Sequence, residues 1–308
     1  MLVDHAEDNL FEIDREMASQ WHFTRFESVL GDCKEGERML EVMQRFKPEV
    51  VFHAAAYKHV GLMETNPLEA LRNNAIATQV TAKTAAASGV ERFVLVSTDK
   101  AVNPRTVMGA TKAMAEWIVA AVGQRYPQTR FTIVRFGNVL ASSGSVVPIF
   151  RSQIEQGGPV TVTDPEMSRY FMTIPESVQL VIQAGDLGTG AADVFVLEMG
   201  EPVRIMDLAR NMIRLAGYEP DTDIAIEIIG VRPGEKLHEE LLNRDERSQP
   251  TTAERIVRAV RDAPLDPGWV EETVARLESL VASGDEAGLA EHVLELMDGG
   301  DAARHTLA

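Results

Sequence analysis

One cysteine, Cys33, stands among 308 residues, so no internal disulfide is available and the chain reads as one made for a reducing compartment. Basic residues are scarce: 30 Lys and Arg face 47 Asp and Glu, a formal charge of −17. That balance excludes a general affinity for nucleic acid or an anionic membrane surface, and any phosphate must meet a local basic pocket. No apolar run approaches the ~18 residues of a membrane span. The N-terminus lacks the basic, apolar and small-residue order of a signal peptide. Internal repeats, low-complexity tracts and metal-ligand clusters are missing too, and the seven histidines are scattered. No metal site is expected.

What is present describes a globular protein. Hydrophobic content of 45% and charged content of 25% are ordinary for a folded domain, and the length suits one large or two medium domains. Met1 to Val3 reads as the last part of a strand ending at Asp4, and Phe26 to Leu30 as a second strand. A helix over Glu35 to Phe46 and a buried strand from Val50 into Ala56 follow. Pro67, with Thr65 or Asn66 as cap, opens a helix that ends at Gly89. The apolar run Val94 to Val96, a helix from Thr106 and a strand from Thr132 to Arg135 complete an alternation that implies a parallel, doubly wound sheet. Beyond Asn138 the elements shorten and include the loop Ser142 to Ser145. Pro175 to Leu187 reads as a helix, Val194 to Met199 as a strand returning to the sheet, Arg204 to Ala216 as a helix and Ile224 to Ile229 as a strand. From Asp266 two amphipathic helices flank Ser283 to Asp285, and the last eight residues read as frayed.

The chemistry concentrates in Ser97 to Lys112. SerThrAspLys follows the Val94 strand, Asn103-Pro104 breaks the chain, and Met108 and Lys112 stand four residues apart on one helical face. Ligands of open α/β sheets sit outside the carboxyl ends of strands, where Thr98, Asp99 and Lys100 fall. A polar exit from the strand, with Thr106 as a mere helix cap, would produce the same string.

Seven strings together resemble the extended short-chain dehydrogenase/reductase superfamily and, within it, the nucleoside-diphosphate-sugar 4,6-dehydratases of the CapD/PglF type. They are His53 to Val60, Asn66-Pro67 with Asn73-Asn74, SerThrAspLys with MetGlyAlaThrLys, Arg135 to Val139, Gly144 to Pro148, Arg169 to Ile174 and Arg232 to Lys236. The resemblance implies a Rossmann-like sheet carrying a smaller α/β substrate-binding region. Residues 1–140 would form an incomplete dinucleotide-binding domain, 141–263 a nucleotide-sugar-binding region and 264–308 a C-terminal helical extension.

The resemblance also implies roles. Met108 stands where the superfamily has a proton-accepting tyrosine; a thioether cannot titrate, so the acid/base work passes to SerThrAspLys. Lys100 is the expected base at C5 of a hexose, Asp99 the acid for the C6 hydroxyl, and Thr98 the hydrogen-bond partner of the C4 oxygen. Burial would push Lys100 and Asp99 toward their neutral forms. Lys112 would hold the nicotinamide ribose and favour hydride departure. Asn138, Arg169 and Arg232 match diphosphate positions, Glu235 a nucleotide-ribose position, and Lys58, Ser145 and Val146 further substrate positions. Asp4, Asp32, Cys33, Ala54, Ala55, Ala56, Ser97 and Phe136 match cofactor positions. Asn74 falls among these but reads more as a link between helix and sheet. Asp4 ends a strand where a carboxylate repels a 2′-phosphate, so NAD is expected over NADP, with UDP-N-acetylglucosamine as the sugar nucleotide.

The superfamily's first strand, its GlyXaaXaaGlyXaaXaaGly turn and its first helix have no counterpart before Asp4; Gly188 to Gly190 follows a helix instead of opening one. In the strand order 3-2-1-4-5-6 the missing strand is central. Met1 to Phe46 is therefore expected to shift and close the slot or to be poorly ordered, with weak NAD binding. The expected setting is cytoplasmic, at the inner face of the membrane in a longer, membrane-anchored parent, and homo-oligomeric. Two other functions fit the same strings: an NDP-sugar 4-epimerase and a catalytically silent sugar-nucleotide-binding module. The acid and lysine after Thr98 favour dehydration.

Overall fold

A computed structural model describes residues 1–142, 144–190 and 192–298, so Ser143 of the loop and the last eight residues lie outside the described residues. Six strands form the main sheet in the order Glu246–Pro250, Ile256–Arg261, Asp193–Leu197, Arg130–Arg135, Arg92–Val96, Val50–His53. The last four of that list are mutually parallel, and the first two add antiparallel to one edge. Val94, Leu95, Ile133 and Val134 are at most 1% exposed, as expected of strands covered by helices on both faces. Asp193–Leu197 does return to the sheet, as the sequence predicts. The polar strand Glu246–Pro250 and its partner Ile256–Arg261 are not foreseen from sequence. Arg247, Ser248 and Gln249 on the outermost strand face water, and the strand carries no apolar alternation to betray it.

One face is covered by helix Val107–Arg125, which is buried along nearly its whole length. Thr106 caps it by accepting the Gly109 amide, as expected. Helices Pro267–Ser283 and Glu286–Asp298 pack over it, with Trp117 against Trp269 at 5.5 Å between ring centroids. The predicted helix from Pro67 to Gly89 is one rod with a flaw in it: Pro67–Leu71 and Ala77–Ala87 are joined by a π turn over Arg72–Ile76. Such wide turns mark positions where side chains must be re-aimed, and this one carries Asn73 and Asn74. On the other face, helix Ile174–Leu187 starts in a capping box of Thr173 and Glu176. A separate apolar cluster of Phe150, Ile154, Val160, Val162, Ile205 and Ile213 builds the smaller lobe, where Ile226–Ile228 pairs parallel with Val160–Val162.

The N-terminal segment corrects one expectation. Leu2–Asp4 and Ser28–Leu30 pair with each other in parallel but not with the six-stranded sheet, so the slot is not closed. Val50 and Phe52 stay 39% and 47% exposed on the unpaired edge. The pair is tied down elsewhere: helix Gly36–Phe46 packs on Ala77–Ala87 through Met39, Val42 and Met43, and that contact would be lost if the pair slid across. Helix Glu7–Ser19, between the two strands, is also not foreseen, because Ala6 offers no capping side chain to announce it.

Candidate active site

Strand Arg92–Val96 ends at Ser97, and the next three residues turn sharply into a single 3₁₀ turn, Asp99–Ala101. The turn is fixed from several sides. Ser97 donates its amide to the Val134 carbonyl and Asp99 its amide to the Phe136 carbonyl, while the Thr98 hydroxyl accepts the Lys100 amide at 3.3 Å. Helix Val107–Arg125 comes so close that a Cβ on Gly109 would lie 2.4 Å from the Lys100 carbonyl oxygen; only glycine permits that approach. On the opposite side a Cβ on Gly137 would sit 3.1 Å from Asp99 Oδ2.

Asp99 is fully buried. Its Oδ1 accepts the Thr98 hydroxyl at 2.9 Å and the Lys100 ammonium at 2.9 Å, whereas Oδ2 is buried without a hydrogen-bond partner. Lys100 Nζ also donates to Asn138 Oδ1 at 3.3 Å and lies 3.7 Å from Glu239 Oε1. Burial alone would lower the Lys100 pKa, but Asp99 and Glu239 outweigh it and the value is raised. The resting amine is an ammonium held between Asp99 and Glu239, and the neutral form is expected of the sugar-bound site.

Lys100 stands in the wall of a cavity of about 330 Å³. Lys58 and Asn138 line it from the sheet side. Ser145 and Val146 contribute the start of helix Val146–Glu155, and Arg169, Arg232 and Glu235 come from the smaller lobe. Every residue expected to bind substrate therefore lines one cavity. Arg169 is buried, donates to the Ser168 and Leu237 carbonyls and reaches Glu235 Oε1 at 3.3 Å. The Arg232 amide donates to Glu235 Oε2.

The cofactor candidates lie apart from that cavity. Lys112 is buried with its amine donating to the Val96 carbonyl at 2.9 Å, and burial pulls its pKa down to about 8 against the pull of Glu116. Burial, with Lys112 adding to it, also drives His53 down to about 3, so that imidazole is neutral. Ala54 and Ala55 are exposed and Ala56 half-buried beyond the open strand Val50–His53. Asp4, Asp32 and Cys33 gather past the two N-terminal strands. Asp4 accepts the Ala6 amide, Asp32 pairs with Lys34, and the Cys33 thiol meets Thr81, with burial and the two carboxylates raising its pKa. Phe136 is half-buried against the sheet core.

Three candidates have side chains already engaged. Asn74 is fully buried and clamps the Tyr57 amide and carbonyl at 2.7 and 3.0 Å while donating to Thr111 at 3.1 Å; it ties the loop after Val50–His53 to helix Val107–Arg125. Ser97 donates to Glu116 at 2.6 Å. Met108 fills an apolar cluster with Met63, Ala70 and Val107. Two acids here escape the sequence reading. Glu116 lies one turn beyond Lys112, so helical spacing could have found it. Glu239 closes the string from Arg232 and had no local signal beyond its proximity to Lys236.

This sheet, with acid and lysine at a central strand end and a cavity lined by basic side chains beside them, is that of an extended short-chain dehydrogenase/reductase. The chain belongs to the polysaccharide biosynthesis protein family, whose model matches residues 1–261. It is 52% identical over 263 residues to the capsular polysaccharide biosynthesis protein CapD of Staphylococcus aureus, covering 85% of this chain and 44% of that one. The chain thus spans less than half the length of that relative. It is 32% identical over 248 residues to the inverting UDP-N-acetylglucosamine 4,6-dehydratase of Campylobacter jejuni serotype O:2, covering 80% and 70%. Among solved structures it resembles Pen from Bacillus thuringiensis, with TM-score 0.76 and 33% identity, covering 84% and 79%. No helix among the described residues is long and apolar enough to cross a membrane.

Proposed function

We propose that this chain carries the site of an NAD-dependent UDP-N-acetylhexosamine 4,6-dehydratase, which converts UDP-N-acetylglucosamine to its 4-keto-6-deoxy form for a surface polysaccharide. One observation carries the reading: the Lys100–Asp99 ion pair at a central strand end, with the amine in the cavity wall. The relative from Campylobacter jejuni bears the name of that reaction.

The residues fit NAD at its two ends. Lys112, buried and lowered to about 8, would hold the nicotinamide ribose, and the small side chains Ala54 to Ala56 would leave room for the dinucleotide backbone. Asp4 and Asp32 would meet the adenosine. When bound, NAD supplies the acceptor that oxidises C4 and later gives the hydride back at C6.

The chain's own groups supply the acid and the base. Lys100 and Asp99 rest as ammonium and carboxylate 2.9 Å apart. A sugar that displaces water from the cavity lowers the local dielectric, which favours transfer of the shared proton and leaves a neutral amine beside a carboxylic acid. These are the two forms the elimination needs. With C4 oxidised, the C5 proton is acidic; Lys100 takes it while Asp99 protonates the C6 hydroxyl, which leaves as water. The Thr98 hydroxyl serves the C4 oxygen. After C6 is reduced, Lys100 returns a proton to C5. The proton released from the C4 hydroxyl passes to solvent, and one from solvent resets the pair.

Incubation with UDP-N-acetylglucosamine and NAD tests the reading. A 4-keto-6-deoxy product, lighter by one water, is expected. A C4 epimer would place the chain among the 4-epimerases, and binding without turnover would reduce it to a sugar-nucleotide-binding module.

A further inference from the structure

Glu239 has no role in the chemistry above, yet it is more buried than Glu235, the other acid in the cavity wall. The residue is 9% exposed and its side chain 4%. Oε1 faces Lys100 Nζ at 3.7 Å and Arg169 Nε at 3.9 Å, both too long for hydrogen bonds. Oε2 is buried and has no hydrogen-bond partner. A buried carboxylate oxygen left unbonded is costly, and the neighbouring Glu235 shows the ordinary solution, since its oxygens are taken by Arg169 and by the Arg232 amide. Glu239 lines the same cavity with its hydrogen-bonding capacity unspent.

We propose that Glu239 reads the sugar: its carboxylate accepts a hydrogen bond from one ring donor of the bound hexosamine, a hydroxyl or the amide N–H, and so sets the ring against Lys100. This rests on the sugar-nucleotide reading above and adds to it the residue that selects the sugar. The partner must be a donor, because a carboxylate repels phosphate, and Arg169 and Arg232 on the same wall suit the diphosphate. The part of the ligand facing Glu239 is also the part facing Lys100, since Glu239 touches that ammonium. That part is the reacting ring.

The test compares the 308-residue chain with Glu239→Gln by titration calorimetry, using UDP, UDP-N-acetylglucosamine and analogues each lacking one ring donor. The variant should bind UDP as the parent chain does and bind UDP-N-acetylglucosamine about 10- to 100-fold more weakly, the range for a hydrogen bond to a charged group. One analogue should bind the parent chain equally poorly and lose nothing further in the variant, the signature of a coupled pair. Glu239→Asp, with a shorter carboxylate, should fall between. Equal weakening of UDP and the sugar nucleotide would mark Glu239 as structural and overturn the proposal. So would unchanged sugar affinity, or losses that add for every analogue. A parent chain that binds no UDP-sugar and no UDP would instead overturn the functional reading beneath it.

Discussion

Arg135 and Lys100 sit on neighbouring strand ends, each between two carboxylates, and the two clusters are finished differently. Arg135 is fully buried and spends all three guanidinium nitrogens on Glu116 and Glu246. Each of the four carboxylate oxygens there accepts at least one bond, from Arg135, from the Ser97 hydroxyl or from the Asn243 amide. Around Lys100, Asp99 Oδ2 and Glu239 Oε2 accept none. A closed ionic network fixes helix Val107–Arg125, strand Arg130–Arg135 and the outer hairpin against one another. An open one, its Lys100 side chain 25% exposed beside two buried carboxylates, carries an unmet cost that a ligand can relieve. The contrast separates the charges that are closed on the fold from those we propose for chemistry.

Changes that remove one central cation from each cluster sharpen the contrast most. Lys100→Met should cut turnover by about 10²- to 10⁴-fold, the scale of a lost general base, with a smaller fall in denaturant midpoint than Arg135→Met, because the Lys100 side chain is 25% exposed and that of Arg135 is not exposed at all. Arg135→Met strands two buried carboxylates and should cost about 3–5 kcal/mol of unfolding free energy, read as a lower midpoint in urea. If Lys100→Met unfolded the protein and Arg135→Met did not, the assignment would be reversed.

The closed cluster also predicts an acid limb. Burial raises the Glu246 pKa, but Arg135 more than reverses this and holds it at about 2, below the ordinary 4.5. A depressed carboxylate stabilises the fold above its unfolded value, so that contribution should fade as pH drops from about 4.5 to about 2. Urea midpoints across that window should fall for the parent chain and stay flatter for Glu246→Gln.

Lys112 gives the smallest effect and the opposite sign. Its folded pKa of about 8 lies below the usual 10.5, so at pH 7 the buried ammonium is a burden. Lys112→Met should therefore be the more stable chain at pH 7, by roughly 1–3 kcal/mol. That advantage should shrink from pH 8 to 10.5, where the folded lysine sheds its proton before the unfolded one. Turnover by Lys112→Met should nonetheless fall, because hydride departure from C4 loses its positive neighbour.

Much of this site was readable in sequence because its elements are local. The apolar run Val94 to Val96, the turn after Thr98 and the Thr106 cap each fall within a few residues, and the residues proposed for the substrate line one cavity. Charge states were not readable. Lys100 remains protonated because Glu239, far along the chain, joins Asp99 beside it. The polar strand Glu246–Pro250 that brings Glu246 to Arg135 likewise has no apolar pattern. The open slot beside Val50–His53 was legible as a gap, but not its outcome. That depends on how firmly Gly36–Phe46 holds Ala77–Ala87.

Turnover of UDP-N-acetylglucosamine in D₂O tests most directly whether the Lys100 cluster does the elimination. Most product molecules should carry deuterium at C5, because the Lys100 amine that takes up the C5 proton already bears two exchanged deuterons, and Lys100→Met should cut product formation by the factor given above. A product without deuterium at C5, or undiminished product formation by Lys100→Met, would contradict the account.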